Sequence, residues 1–252
     1  MSVATRQSKV IQQWYQRPSL QDALARLQQE LDEALPTCFG YHLVQLGDME
    51  FVACYQSSKI NHCVRCQPDG EVISESEHLP FDADSIDVLI AIHSLDTSSN
   101  PHQVVREIQR VLAPQGQLFL VGLNPNSVGA LSALVSRKVF RKSTTPRPTL
   151  SLHRLDDWFR LLGLERISVR YFAHLPYSGS QSTVGRALYR MTAWLERHRM
   201  PAGRLYFVRV TKQVSAIHRP NLARFKPRLR AIGIGKSVVT SRQTKESLRN
   251  ND

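Results

Sequence analysis

The chain has 252 residues, 42% of them hydrophobic, and a formal net charge of +12 at neutral pH. That length and apolar content fit one ordinary domain with extensions and exclude a chain disordered throughout. No apolar run approaches a membrane-spanning length, and the start (MSVATRQSKVIQQWY) lacks a signal-peptide core, so a cytoplasmic protein with no membrane partner is expected. Four unevenly placed cysteines exclude a disulfide scaffold.

Residues 1–18 are polar apart from the pair Trp14-Tyr15. Ser19 to Leu35 places Leu20, Leu24, Leu27, Leu31 and Leu35 on one stripe, which predicts an amphipathic helix, with Ser19 and Asp22 at capping-box spacing and Pro36 as its stop. Gly40 to Leu46 reads as the first strand. Met49 to Tyr55 reads as a short strand or an irregular turn, and Asn61 to Cys66 as a further strand closed by the turn Gln67-Pro68-Asp69-Gly70. Glu71 to Ser74 leads into a strand ending at Glu75. Ile86 to Ile92 is a nearly continuous apolar run, the signature of a strand buried on both faces.

From Pro101 to Leu112, apolar residues recur at Val104, Val105, Ile108, Val111 and Leu112, a helix that Asn100 can cap and Pro101 can open. Ala113-Pro114-Gln115-Gly116 predicts a turn and Gln117 to Leu123 a second buried strand, so the whole is a βαβ unit with parallel strands. Further on, Val128 to Val139 reads as a helix and residues 137–148 as a basic, proline-containing loop. Leu152 to Leu162 predicts a helix stopped by Gly163, and Ile167 to His174 an alternating strand. Gly185 to Arg199 predicts an amphipathic helix bearing Leu188, Met191, Trp194 and Leu195, and Arg204 to Val210 the last strand. This alternation predicts an α/β doubly wound domain whose site lies in loops at the carboxyl ends of the parallel strands.

The pieces LPFDADSIDVLIAIHSLD and VVREIQRVLAPQGQLFLVG resemble the class I S-adenosylmethionine-dependent methyltransferases, in the branch with a type 11-like methyltransferase domain. Motif order and spacing both agree: an acid four residues before LPF, a D-V dipeptide, then R-E-hydrophobic-x-R-V-L-x-P-x-G. The resemblance implies a Rossmann-like, seven-stranded sheet whose final strand inserts antiparallel, preceded by an N-terminal helix that lies over the cofactor site in many members. The chain then divides into an N-terminal helical extension (1–35), a methyltransferase-like Rossmann domain (36–214) and a basic tail (215–252). The implied function is methyl transfer from S-adenosylmethionine to a small-molecule or macromolecular acceptor.

Methyl transfer from a sulfonium is an in-line displacement, so the protein's main task is to hold nucleophile and methyl group in line. The resemblance puts Glu75, with Ser76 beside it, on the adenine side of the cofactor. Gly47 matches the first glycine of the family's G-x-G-x-G, but Asp48-Met49-Glu50 follows, a degenerate glycine loop. Asp69 is the nearest candidate for the acid that holds the ribose. Asp87, recurrent in the family, is expected to be structural. His93 follows a strand at its carboxyl end and is a candidate for cofactor contact and for general base, or else a hydrogen-bonded loop histidine.

Residues 215–252 hold nine Lys or Arg against two acids and few large hydrophobes, which predicts a disordered tail. Its charge fits a nucleic-acid contact or a solubilising role. A second reading of the chain therefore stands beside the first: a non-catalytic protein of this fold that binds nucleic acid or a protein partner through the basic loop and tail. Cys63-Val64-Arg65-Cys66 is a lone C-x-x-C, expected to be two strand cysteines and not a metal site.

Overall fold

The computed structural model describes residues 3–47, 55–66, 71–127, 150–174, 183–198 and 200–213. Among them, six strands form one sheet in the order β2-β1-β3-β4-β6-β5. These are β1 (His42–Leu46), β2 (His62–Cys66), β3 (Ile86–Ile92), β4 (Leu112–Leu123), β5 (Leu164–Phe172) and β6 (Leu205–Lys212). The pairs β1–β2, β1–β3 and β3–β4 are parallel, and β6 runs antiparallel to both β4 and β5. The doubly wound α/β expectation holds, including the antiparallel last strand.

Helices cover both faces: α1 (Val3–Tyr15), α2 (Pro18–Ala34), α3 (Ser94–Thr97), α4 (Pro101–Val111), α5 (Leu152–Leu161) and α6 (Thr183–Arg197). On one face Ile11, Trp14 and Tyr15 of α1 and Leu20, Leu27 and Leu31 of α2 pack on Leu43, Val88, Ile90 and Phe119. On the other, Val104, Val105 and Ile108 of α4 and Leu155 and Phe159 of α5 pack on Val44, Leu89, Ala91 and Leu118. Each fully buried aliphatic side chain contributes about 1.5–3 kcal/mol relative to exposure. The continuous run in β3 follows from this, since a strand covered on both sides has no polar face.

Several local expectations are corrected. The seventh strand is absent among the described residues, and Glu71–Ser74 contributes only an isolated parallel bridge between Val72 and Cys66. The Glu71 carboxylate accepts the Arg65 N–H at 3.2 Å, a donor that a full partner strand would have paired with its own carbonyl. Helix α2 begins at Pro18, with Arg17 at its N-cap and no side-chain capping bond there, so the Ser19 capping box does not start it. The polar start of the chain forms α1, because Ile11, Trp14 and Tyr15 share one face at i, i+3 and i+4. The expected turn at 113–116 is instead the first part of β4: Gln115 takes a left-handed φ of 65° and the β3–β4 register shifts between Ile86 and Val88. On α6, Met191 and Trp194 face outward, 47% and 55% exposed, while Thr192 is buried.

Asp69, residues 49–54 of the 49–55 segment, the 128–139 helix, the 137–148 loop and the whole tail from 215 lie outside the described residues. No helix among the described residues is long and apolar enough to cross a membrane.

Candidate functional site

The parallel strands end at Leu46, Cys66, Ile92 and Leu123, so Gly47, His93 and Asn124 follow at the carboxyl edge of the sheet. Gly47 turns there with φ 120°, and a Cβ on it would lie 2.0 Å from the Ile92 carbonyl oxygen. The neighbouring strand's backbone therefore demands this glycine. At the opposite edge, Asp87 Oδ2 accepts the N–H of Tyr41 at 2.7 Å and of His42 at 3.0 Å, so this acid ties the start of β1 to β3.

His93 stands in the left-handed region (φ 52°) and is 2% exposed. Its Nδ1 lies 2.8 Å from Asp96 Oδ2, and its Nε2 lies 2.6 Å from the hydroxyl of Tyr15. The same Asp96 oxygen accepts the N–H of Leu123 at 3.0 Å. A buried chain of polar contacts thus ties helix α1 to the ends of β3 and β4. As placed, both imidazole nitrogens are engaged by side chains of the protein, the arrangement of a hydrogen-bonded histidine. Two buried polar atoms near this chain, Ser94 Oγ and Trp14 Nε1, have no hydrogen-bond partner among the described residues.

Glu75 sits on a segment clamped from two sides. Glu77 Oε1 accepts from the Ser98 hydroxyl at 2.6 Å and from the Ser99 N–H at 3.1 Å. Burial would raise the Glu77 pKa, but these bonds and one from Asn100 outweigh it and hold the carboxyl below its ordinary range. Two residues further on, Glu107 of α4 accepts the Leu79 N–H, while Arg110 donates to the Leu79 carbonyl at 3.0 Å and the Phe81 carbonyl at 2.9 Å. The Arg110 guanidinium also bonds Glu107 and keeps that carboxyl below its ordinary range. The R-E-x-x-R pattern and LPF are therefore one physical unit: the helix carries a side-chain clamp for the loop. Between the clamps, Glu75 is exposed and its carboxylate makes no hydrogen bond among the described residues, while Ser76 is partly buried. Gly47, Glu75 and Ser76 thus belong to structured turns, whereas no contact joins Glu75 to His93.

A cleft that the sequence did not announce, of about 590 Å³, opens beside the end of β4. Asn124, Leu152, His153, Asp156, Tyr171 and Met200 are among its lining residues. Asn124 shapes it by donating to the carbonyls of Pro201 at 3.0 Å and Gly203 at 2.8 Å. Burial raises the Asp156 carboxyl above its ordinary range despite the nearby Arg166. Such a cleft needs strand end, helix start and a distant turn to meet, and no local motif encodes that.

The two cysteines of C-x-x-C point to opposite faces of β2. Cys66 belongs to the core beneath α4, and Cys63 packs against the core beneath α2. Spacing of three on a strand separates side chains in this way, so the pair cannot chelate one ion. Among the described residues no group of three metal-binding side chains occurs.

Residues 40–120 match the model of the family described as "Methyltransferase domain". The chain is 31% identical over 156 residues to the uncharacterized protein YafS of Escherichia coli K12; the match covers 60% of this chain and 64% of that protein, so the chain spans under two thirds of that relative's length. Among solved structures, a chain of the Haloferax volcanii complex containing the Trm112 methyltransferase activator superposes with TM-score 0.53 at 16% identity, covering 74% of this chain and 88% of that one. A SAM-dependent methyltransferase from Thermotoga maritima gives TM-score 0.51 at 16% identity over 74% of this chain, and the cyclase SpnF gives 0.51 at 17% over 77%; the match covers 89% and 83% of those chains. At such identities these likenesses establish the fold, and the cyclase among them shows that the fold carries more than one chemistry.

Proposed function

We propose that this chain, whose residues 40–120 match the model of the methyltransferase-domain family, transfers a methyl group from S-adenosylmethionine to an acceptor. One observation carries the reading. The loop bearing Glu75 is fixed in place by Glu77, Glu107 and Arg110, yet its carboxylate is left exposed and, among the described residues, without a hydrogen-bond partner. A clamped loop presenting a free acceptor is arranged to meet a donor from outside the chain.

The residues present fit the cofactor at this edge. Glu75 can accept a hydrogen bond from an adenine amine, with Ser76 next to it. Gly47 supplies the tight exit from β1, and Asp69 remains the candidate for the ribose hydroxyls. Ser94 Oγ and Trp14 Nε1, buried and without hydrogen-bond partners among the described residues, are the kind of atoms that a bound polar group would satisfy, since a buried donor left unpaired costs about 1–3 kcal/mol. When bound, the cofactor supplies a methyl group on a sulfonium, open to displacement by an acceptor nucleophile. The chain's part is to exclude water, orient the acceptor and hold the edge rigid. His93, locked by Asp96 and Tyr15, serves this reading as a positioning residue that seats helix α1 over the edge. The cleft beside Asn124 is the natural place for the acceptor, small molecule or macromolecule.

Titration calorimetry with S-adenosylmethionine and its demethylated product tests the reading. Binding is expected, and Glu75→Ala is expected to weaken it about tenfold, the value of one hydrogen bond to a charged acceptor. No binding at millimolar cofactor removes the proposal. Tight binding that Glu75→Ala leaves unchanged places the adenine elsewhere.

A further inference from the structure

Helix α6 packs its inner side on β5, yet a wide arc of it faces water. Arg186, Ala187, Arg190, Met191, Trp194, Arg197 and His198 are all exposed. At 100° per residue they fall within about 140° of one another. Their order around the helix is not random. Arg186, Arg190 and Arg197 form one flank, Trp194 the centre and Met191 the other flank. The Trp194 ring meets that of His198 at a tilt of 53° with centroids 4.5 Å apart, and Met200, just past the helix, is 42% exposed. No acid falls within the arc, and none of the three arginines makes an ion pair among the described residues.

We propose that this face of α6 docks the protein on an anionic lipid surface. The occupant must offer anionic charge and apolar volume side by side, because Arg and Trp–Met flanks adjoin on one helix. The boundary between headgroups and acyl chains does so: Trp and Met enter the apolar side while the guanidinium groups meet phosphates. A second copy of the chain would oppose arginine with arginine. A nucleic acid would match the arginines but leave Met191 and Met200 in water. The absence of a spanning segment, on which the expectation of no membrane partner rested, has no bearing on a helix that lies on the surface.

The test uses the full chain and lipid vesicles, neutral or containing about a third anionic phospholipid, in a sedimentation assay. Binding is expected to the anionic vesicles alone, with brominated acyl chains quenching the fluorescence of Trp194. The Trp194→Phe variant should lose that quenching. Replacing Arg190 and Arg197 by Glu should lower partitioning at least about twenty-five-fold, since each lost Arg near such a surface is worth roughly fivefold. Vesicle binding without quenching, or insensitive to the Glu variant, assigns the contact to another basic segment such as the tail and overturns the proposal. So does binding to an oligonucleotide in preference to vesicles, or a dimer on size-exclusion chromatography that Trp194→Phe dissolves. The assay needs no cofactor, so its failure is separate from that of the methyltransferase reading.

Discussion

Replacing Tyr15 by Phe removes one oxygen and leaves the ring in place. The hydroxyl lies 2.6 Å from Nε2 of His93, and both residues are at most 2% exposed. The loss is one buried hydrogen bond, about 1 kcal/mol net, plus the cost of an imidazole nitrogen left unpaired, for a total of about 1–3 kcal/mol. In a domain of this size that lowers the melting temperature by about 2–12 °C. Helix α1 should loosen most, so trypsin should cut after Lys9, within that helix, faster than in the wild type. A double-mutant cycle with His93→Asn separates the bond from other effects, because Asn tolerates the left-handed backbone at 93. A coupling energy on the order of 1 kcal/mol is expected. If Tyr15→Phe melts with the wild type, or its effect is purely additive with His93→Asn, the buried chain does not hold α1.

Gly47→Ala forces a Cβ against the Ile92 carbonyl at a φ of 120°, so it should destabilise by more than about 2 kcal/mol and reduce yield of folded protein. Unaltered denaturant midpoints would mean that the turn has another shape. Glu77 and Glu107 have folded pKa values below their unfolded ones, so their stabilisation is complete above the unfolded value and vanishes as pH falls through the folded one. The stability gap between wild type and Glu77→Gln should accordingly shrink toward zero as urea melts are moved from pH 6 to pH 3. A gap independent of pH would reject the assignment.

What the sequence made legible is the block built from local signals. Ile86–Ile92 is a strand over its whole expected length, because an uninterrupted apolar run has few alternatives. Pro101–Val111 is a helix with the Asn100 side chain accepting from Gln103 N–H, as its composition indicated. Helix α1 was obscured because its three buried apolar residues, Ile11, Trp14 and Tyr15, are diluted among Gln, Arg and Lys. The Glu107–Arg110 clamp on Leu79 and Phe81 joins residues about thirty apart, and spacing alone records the motif without its purpose. His93 reads as a loop residue because burial of a polar group depends on partners far along the chain. On α6 the apolar stripe was visible, but periodicity does not say which side meets the protein, and there Thr192 turned inward instead.

The contact between Tyr15 and His93 spans 78 residues. Helix α1 therefore leaves the ribosome long before the surface that receives it exists. Ile11, Trp14 and Tyr15 have only α2 and β1 to pack on until β3 and β4 have been made and paired. Closing so long a loop is also entropically the late step of assembly. An element made before its partners is thus seated late, and for that interval the nascent chain carries an aromatic, apolar face that chaperones are suited to hold.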